Sequence, residues 1–182
     1  DGIEYINDME IDASGNVYVT GHSQGIGTDY DYATVKYNSS GTVLWEQRYD
    51  GPSSNYDSPS DLEVDALGNV YITGLASGFG PGSDYTTIKY DNLGSQLWVS
   101  SYNGPGDLND MARSIKLDLQ GNIYITGSSY GTGSDFDYGT VKYNNSGNQL
   151  WVRRYNGPGN NYDGSRGIVL DNSGNVYITG LS

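Results

Sequence analysis

Apolar and polar positions alternate along this chain in short runs, and the runs return at a fixed interval. Asn16-Val17-Tyr18-Val19-Thr20-Gly21 sets β-branched and aromatic residues between turn formers, the pattern of a half-buried strand. A first strand over about Asp8 to Asp12 precedes it, and Asp12-Ala13-Ser14-Gly15 is short enough to join the two as a hairpin. Asp12 is expected to hydrogen-bond the turn backbone, and Gly15 to supply a positive φ. After a glycine-rich loop, Tyr32 to Tyr37 read as a third strand, with Ala33, Val35 and Tyr37 on one face and Thr34 and Lys36 on the other. Asn38-Ser39-Ser40-Gly41 turns the chain into a fourth strand, Val43 to Tyr49, which Gly51-Pro52 ends. Nothing in the chain has the 3.6-residue period of a helix.

The same unit then repeats. Gly15-Asn16, Gly68-Asn69, Gly121-Asn122 and Gly174-Asn175 are 53 residues apart each time, as are Leu44-Trp45, Leu97-Trp98 and Leu150-Trp151. Lys36-Tyr37, Lys89-Tyr90 and Lys142-Tyr143 keep the same register, and no insertion disturbs it. The chain therefore divides into repeats 1–53, 54–106 and 107–159 and a partial repeat 160–182 holding the first hairpin alone. An all-β fold of propeller-type tandem blades follows, with four antiparallel strands per repeat. Trp45, Trp98 and Trp151 are the expected packing anchors, and Gly15, Gly68, Gly121 and Gly174 the expected turn glycines. A single sheet cannot bury both faces, so each blade must pack on its neighbours.

The run Asp12-x-x-Gly15-Asn16-Val17-Tyr18-Val19-Thr20-Gly21 continues with Asp31-Tyr32-x-Thr34-Val35-Lys36-Tyr37 and Gly41-x-x-Leu44-Trp45. This pattern resembles the bacterial SBBP repeat, the seven-bladed β-propeller family. The resemblance implies an extracellular or cell-surface protein whose blades act as adhesive or interaction modules, with no common catalytic activity. Seven blades of 53 residues need about 371, against 182 here. Three arrangements answer the mismatch: a segment of a longer propeller, an open head-to-tail stack or filament, or a strand-exchanged oligomer. In each the partner is a neighbouring repeat or another copy of the chain. The chain also opens at Asp1 in mid-pattern without a signal peptide, as a mature product or segment would.

Composition narrows the partners. A formal net charge of −13 with nine Lys+Arg cannot supply the basic face that nucleic acid requires, and no stretch has the length of a membrane span. The absence of cysteine removes disulfides and thiolate metal sites. Eighteen Tyr against two Phe give each blade large apolar bodies with polar tips, which pack and could also stack on carbohydrate.

Candidate chemistry is acidic. Asp31, Asp84 and Asp137 open the third strands, with Asp29 and Asp135 two residues earlier and Gly82 in their place in the second copy. Such carboxylates on a loop could hold Ca²⁺ through oxygen, or cap the loop, or pair with Lys36, Lys89 and Lys142. Glu4, Asp57, Asp110 and Asp163 form a second acidic column, expected to be a solvated rim. Asn38 and Asn144 head sequons on equivalent turns. His22, Met111, Arg113 and Arg166 break the repeat, yet no partner set makes any of them catalytic, and neither a nucleophile elbow nor a phosphate loop occurs. The expected function is a non-enzymatic scaffold. The alternatives are a piece of a secreted enzyme whose catalytic blades lie elsewhere, or a calcium- or carbohydrate-binding module.

Overall fold

A computed structural model describes residues 4–27 and 29–182, with the side chain of Glu4 outside the described set. Each 53-residue repeat folds as one four-stranded antiparallel meander. The first sheet is β1 (Glu4–Ile11), β2 (Val17–Gln24), β3 (Tyr30–Tyr37) and β4 (Val43–Tyr49). The second runs β5 (Ser58–Val64), β6 (Val70–Ser77), β7 (Ser83–Tyr90), β8 (Gln96–Tyr102), and the third β9 (Asp110–Leu117), β10 (Ile123–Tyr130), β11 (Phe136–Tyr143), β12 (Gln149–Tyr155). The fourth stops at the hairpin β13 (Gly164–Leu170) and β14 (Val176–Leu181). Strands one to three are longer than their sequence pattern suggested, because pairing continues past the apolar core into polar ends such as His22-Ser23-Gln24 opposite Tyr30-Asp31-Tyr32.

A bulge recurs in every first strand. The ladder skips Asn7, Ser60, Arg113 and Arg166, and the extra residue turns the local backbone inward. Opposite it stands the glycine of each Thr-Gly pair. A Cβ at Gly74 would lie 2.1 Å from the Ser58 carbonyl oxygen, and one at Gly127 would lie 2.0 Å from that of Met111. Only glycine fits there, which accounts for the Thr-Gly repeat. A second bulge leaves Leu44, Leu97 and Leu150 out of the ladder between third and fourth strands and exposed, while the following Trp turns inward.

The cores lie between sheets. Tyr18, Tyr32, Trp45, Leu62, Val70, Ile72, Ile88 and Tyr90 fill the space between the first and second. The set one repeat on, including Tyr71, Tyr85, Ile115, Ile123, Ile125, Val141 and Tyr143, fills the space between the second and third. Tyr32, Thr34 and Lys36 are the buried alternation of β3, whereas every residue from Asp84 to Tyr90 in β7 is buried because the second sheet is covered on both faces. Only at the ends of the stack does this stop. Ile178, equivalent to the fully buried Ile72 and Ile125, is partly exposed on β14.

First strands β1, β5, β9 and β13 contact one another in series, so they form the inner row about which the sheets are arranged. The tryptophans tie the outer edges. Trp45 Nε1 donates to the Asn92 carbonyl at 3.2 Å and Trp98 Nε1 to the Asn145 carbonyl at 3.0 Å, each reaching the third-to-fourth-strand turn of the next sheet.

Candidate functional site

Acidic side chains gather in four columns, each fixed by a different feature of the repeat. The turn aspartates come first. Asp12 accepts the backbone N–H groups of Ser14 and Asn16 at 2.9 Å, the Asn16 amide at 2.7 Å and the Tyr18 hydroxyl at 3.0 Å. Asp65, Asp118 and Asp171 repeat the set. Burial pushes the Asp12 and Asp118 carboxyls up, but the hydrogen bonds outweigh it and hold both below the usual carboxylate range. Gly15, Gly68, Gly121 and Gly174 take positive φ in these turns. Lys36, Lys89 and Lys142 lie over the rings of Tyr18, Tyr71 and Tyr124, where the ammonium meets the ring face.

The second place is the inner row. Asp8 follows the bulge of β1, and its Oδ2 accepts the Leu62 N–H of β5 at 2.9 Å. Asp61 follows the bulge of β5 and accepts both the Ile115 N–H and the Ser114 hydroxyl of β9 at 2.9 Å. Burial raises the Asp61 carboxyl to about 6, and a hydrogen bond to Asp8 adds to the rise. Sequence reasoning did not single out this column, whose fourth member is Gly167. The signal was present as Asp, Asp, Ser, Gly at the repeat interval, but its meaning depends on the bulge, which no local pattern announces.

The third place lies where the third strands begin. Asp31, Asp84 and Asp137 are buried. Arg48 of β4 reaches Asp31 at 3.0 Å, and Arg154 of β12 reaches Asp137 at 2.7 Å. The same arginines donate to the carbonyls of Ser23 and Ser129. The partner of Asp31 and Asp137 is thus arginine from the neighbouring strand, and the lysines point elsewhere. Asp29 and Asp135 are exposed and accept the N–H of the next residue, Tyr30 and Phe136.

The column Asp57, Asp110 and Asp163 is buried, which overturns the solvated rim expected from sequence. Asp57 accepts the Gly51 and Ser77 N–H groups, Asp110 those of Gly104 and Tyr130, and Asp163 that of Gly157. Each therefore clamps the Gly-Pro turn that closes the preceding repeat. Glu4, the column's first member, lies outside the described side chains. Burial pushes Asp57 and Asp110 up, with backbone hydrogen bonds working against it. Ligand atoms of Asp31, Asp50 and Asp57 lie within 4.8 Å of one another, but Arg48 already supplies a cation there.

Other sequence candidates resolve into local roles. Asn38 accepts the N–H groups of Ser40 and Thr42, and Asn144 those of Ser146 and Asn148. Asp91 does the same in the second copy, so the sequon asparagines occupy a turn position that an aspartate fills equally well. His22 stacks on Tyr5 at 4.9 Å, meets Tyr30 and Tyr56 edge-on at 5.2 and 5.7 Å, and bonds Ser58 Oγ at 3.1 Å. Burial lowers its pKa. The Ser58 hydroxyl is its polar partner, and no carboxylate contacts the ring among the described contacts.

Known proteins agree with this architecture. Residues 150–182 match the SBBP family model, described as a beta-propeller repeat, and the preceding copies carry the same pattern. No curated protein sequence matches the chain. Among solved structures, a Bacteroides caccae protein of unknown function is similar with a TM-score of 0.58 and 11% identity, over 96% of this chain and 53% of that one. A gluconolactonase from Xanthomonas campestris is similar with a TM-score of 0.53 and 16% identity, over 96% and 54%. A structure described as the eukaryotic initiation factor gives a TM-score of 0.53 and 10% identity, over 86% and 33%. The chain thus spans about half or less of each of these structures, and at such identities the likeness is one of fold.

Proposed function

We propose that this chain is a non-enzymatic scaffold of propeller blades, extracellular or at a cell surface, that works joined to further copies of the same unit. One observation carries the reading. Each sheet docks on the next through the same contacts. Trp45 and Trp98 reach turn carbonyls one repeat ahead. Tyr5, Ile6, Met9 and Ile11 on the first sheet and Val169, Tyr177 and Leu181 on the last are exposed apolar residues of the kind buried between the inner sheets. Such faces suit docking against a further blade of the same kind.

The non-enzymatic part rests on the occupation of the acidic groups. The turn, clamp and inner-row aspartates are spent on backbone N–H groups, and Asp31 and Asp137 on arginine. The cell-surface setting rests on the resemblance to SBBP repeats.

Analytical ultracentrifugation over a wide concentration range, with electron microscopy of the same samples, tests the joining. Concentration-dependent rings, stacks or filaments are expected. A chain extended by its own third and fourth strands, copied from residues 136–155, should change the size of that particle. A compact monomer at every concentration, unaltered by the extension, would sink the proposal.

A further inference from the structure

The three copies treat the buried aspartate at the start of the third strand differently. In the first and third sheets an arginine from the fourth strand neutralises it. The position equivalent to Arg48 and Arg154 in the second sheet is Ser101, whose side chain carries no charge. Asp84 is nevertheless fully buried, and neither of its carboxylate oxygens has a hydrogen-bond partner.

A second change points the same way. Asp107 stands where the other copies have Ser54 and Asn160, and all three residues hold the same left-handed backbone at φ near 50°. The surroundings of Asp84 have therefore lost a positive charge and gained a negative one next to an already buried carboxylate. Asp84 Oδ2 and Asp107 Oδ1 both border Gly80, and Asp107 Oδ1 accepts the Asn103 amide at 2.6 Å. The two oxygens lie 3.6 and 3.5 Å from where a Cβ of Gly80 would stand, with Asn103 Nδ2 at 2.9 Å. Asp110, buried beside them, adds its charge while both its oxygens are held by the N–H groups of Gly104 and Tyr130.

We propose that Asp84 and Asp107 form a binding site for a hard divalent cation of the Ca²⁺ class, which does in the second blade what arginine does in the first and third. A buried carboxylate left without a counter-charge is costly. The oxygen ligands and the absence of any sulfur or imidazole donor select a Ca²⁺-type ion over a soft transition metal. The site is single rather than repeated, because Arg48 and Arg154 fill the equivalent places. It goes beyond the scaffold reading and does not depend on it.

The test compares the intact chain with Asp84→Asn and Ser101→Arg, titrated with CaCl₂ or MgCl₂ at constant ionic strength, reading melting temperature and heat of binding. Ca²⁺ should raise the melting temperature of the unaltered chain by about 3 °C or more at saturation, and give one binding event. Asp84→Asn, which removes the buried charge, should fold and lose both effects. Ser101→Arg should be more stable than the unaltered chain without Ca²⁺ and indifferent to its addition. An unaltered chain that neither binds nor responds to millimolar Ca²⁺ or Mg²⁺ overturns the proposal. So does a response that survives Asp84→Asn, which would place the ion elsewhere on this acidic surface.

Discussion

Gly94 lies beneath the indole of Trp45: a Cβ on it would stand 2.9 Å from Trp45 Cγ and 3.0 Å from Cδ2, with φ at +88°. Gly41 has the same place in its own turn, φ at +82°, and nothing within 4 Å. Alanine at Gly41 should therefore cost only the left-handed backbone strain, about 1–2 kcal/mol. Alanine at Gly94 pays that and the overlap with the near, immobile part of the indole, about 1–3 kcal/mol more. Urea denaturation of the two variants measures the difference. Equal losses would mean that the Trp-to-turn contact does not hold adjacent blades together.

Removing Arg154 should be worse than losing a surface ion pair. Its side chain is 20% exposed and that of Asp137 only 7%, so Arg154→Met leaves a buried carboxylate without its cation, at about 3 kcal/mol. Arg48→Met should cost less, since that arginine is 36% exposed. Adding Asp137→Asn to Arg154→Met should restore most of the loss, because no charge then remains to be compensated. A double variant no more stable than Arg154→Met alone, in the same denaturation assay, would assign the loss to packing instead.

Much of this fold was open to reading because each repeat states its turns twice, once in glycine and once in the aspartate or asparagine that bonds the turn backbone. The 53-residue interval gave four strands per sheet, and the sheets are meanders in that order. What stayed hidden depends on neighbours. Asp57 looks like a rim residue from its polar surroundings, Asn55-Tyr56-Asp57-Ser58, yet it is buried because the preceding Gly51-Pro52 turn folds back over it. Arg48 and Arg154 sit 17 residues after Asp31 and Asp137, a spacing that only the pairing of third and fourth strands turns into contact. Ser101 replaces the arginine of that pair in the second copy, a change that carries meaning only once the contact is known.

Asp118 anchors its turn through the Gln120 and Asn122 N–H groups, the Asn122 amide and the Tyr124 hydroxyl. Asp118→Ala should cost about 1–3 kcal/mol. Its folded pKa lies below the ordinary value, so the unfolded chain takes up the proton first as pH falls. The stabilisation is present above about pH 4 and disappears as pH drops through the folded value. Unfolding curves of the parent and Asp118→Ala should thus converge on acidification. A gap that is constant down to pH 2 would show that the carboxylate form contributes nothing special.

Asp61 should behave in the opposite sense. Its carboxyl is raised from 3.8 to about 6, so between those values the folded protein keeps a proton that the unfolded chain releases. Stability from this group is therefore complete below about pH 4 and is lost as pH rises through 6, by roughly 3 kcal/mol for a shift of about two units. Asp61→Asn keeps an oxygen for the Ile115 N–H and the Ser114 hydroxyl, and its amide can donate to Asp8. The variant should match the parent near pH 4 and exceed it at pH 7.5, with a flatter profile between. Chemical denaturation at several pH values measures this, with Asp118→Ala as the control of opposite slope. If Asp61→Asn instead lowers stability equally at pH 4 and pH 7.5, the inner row is held by the ionised carboxylate, and the proton shared between β1 and β5 is not part of what joins the blades.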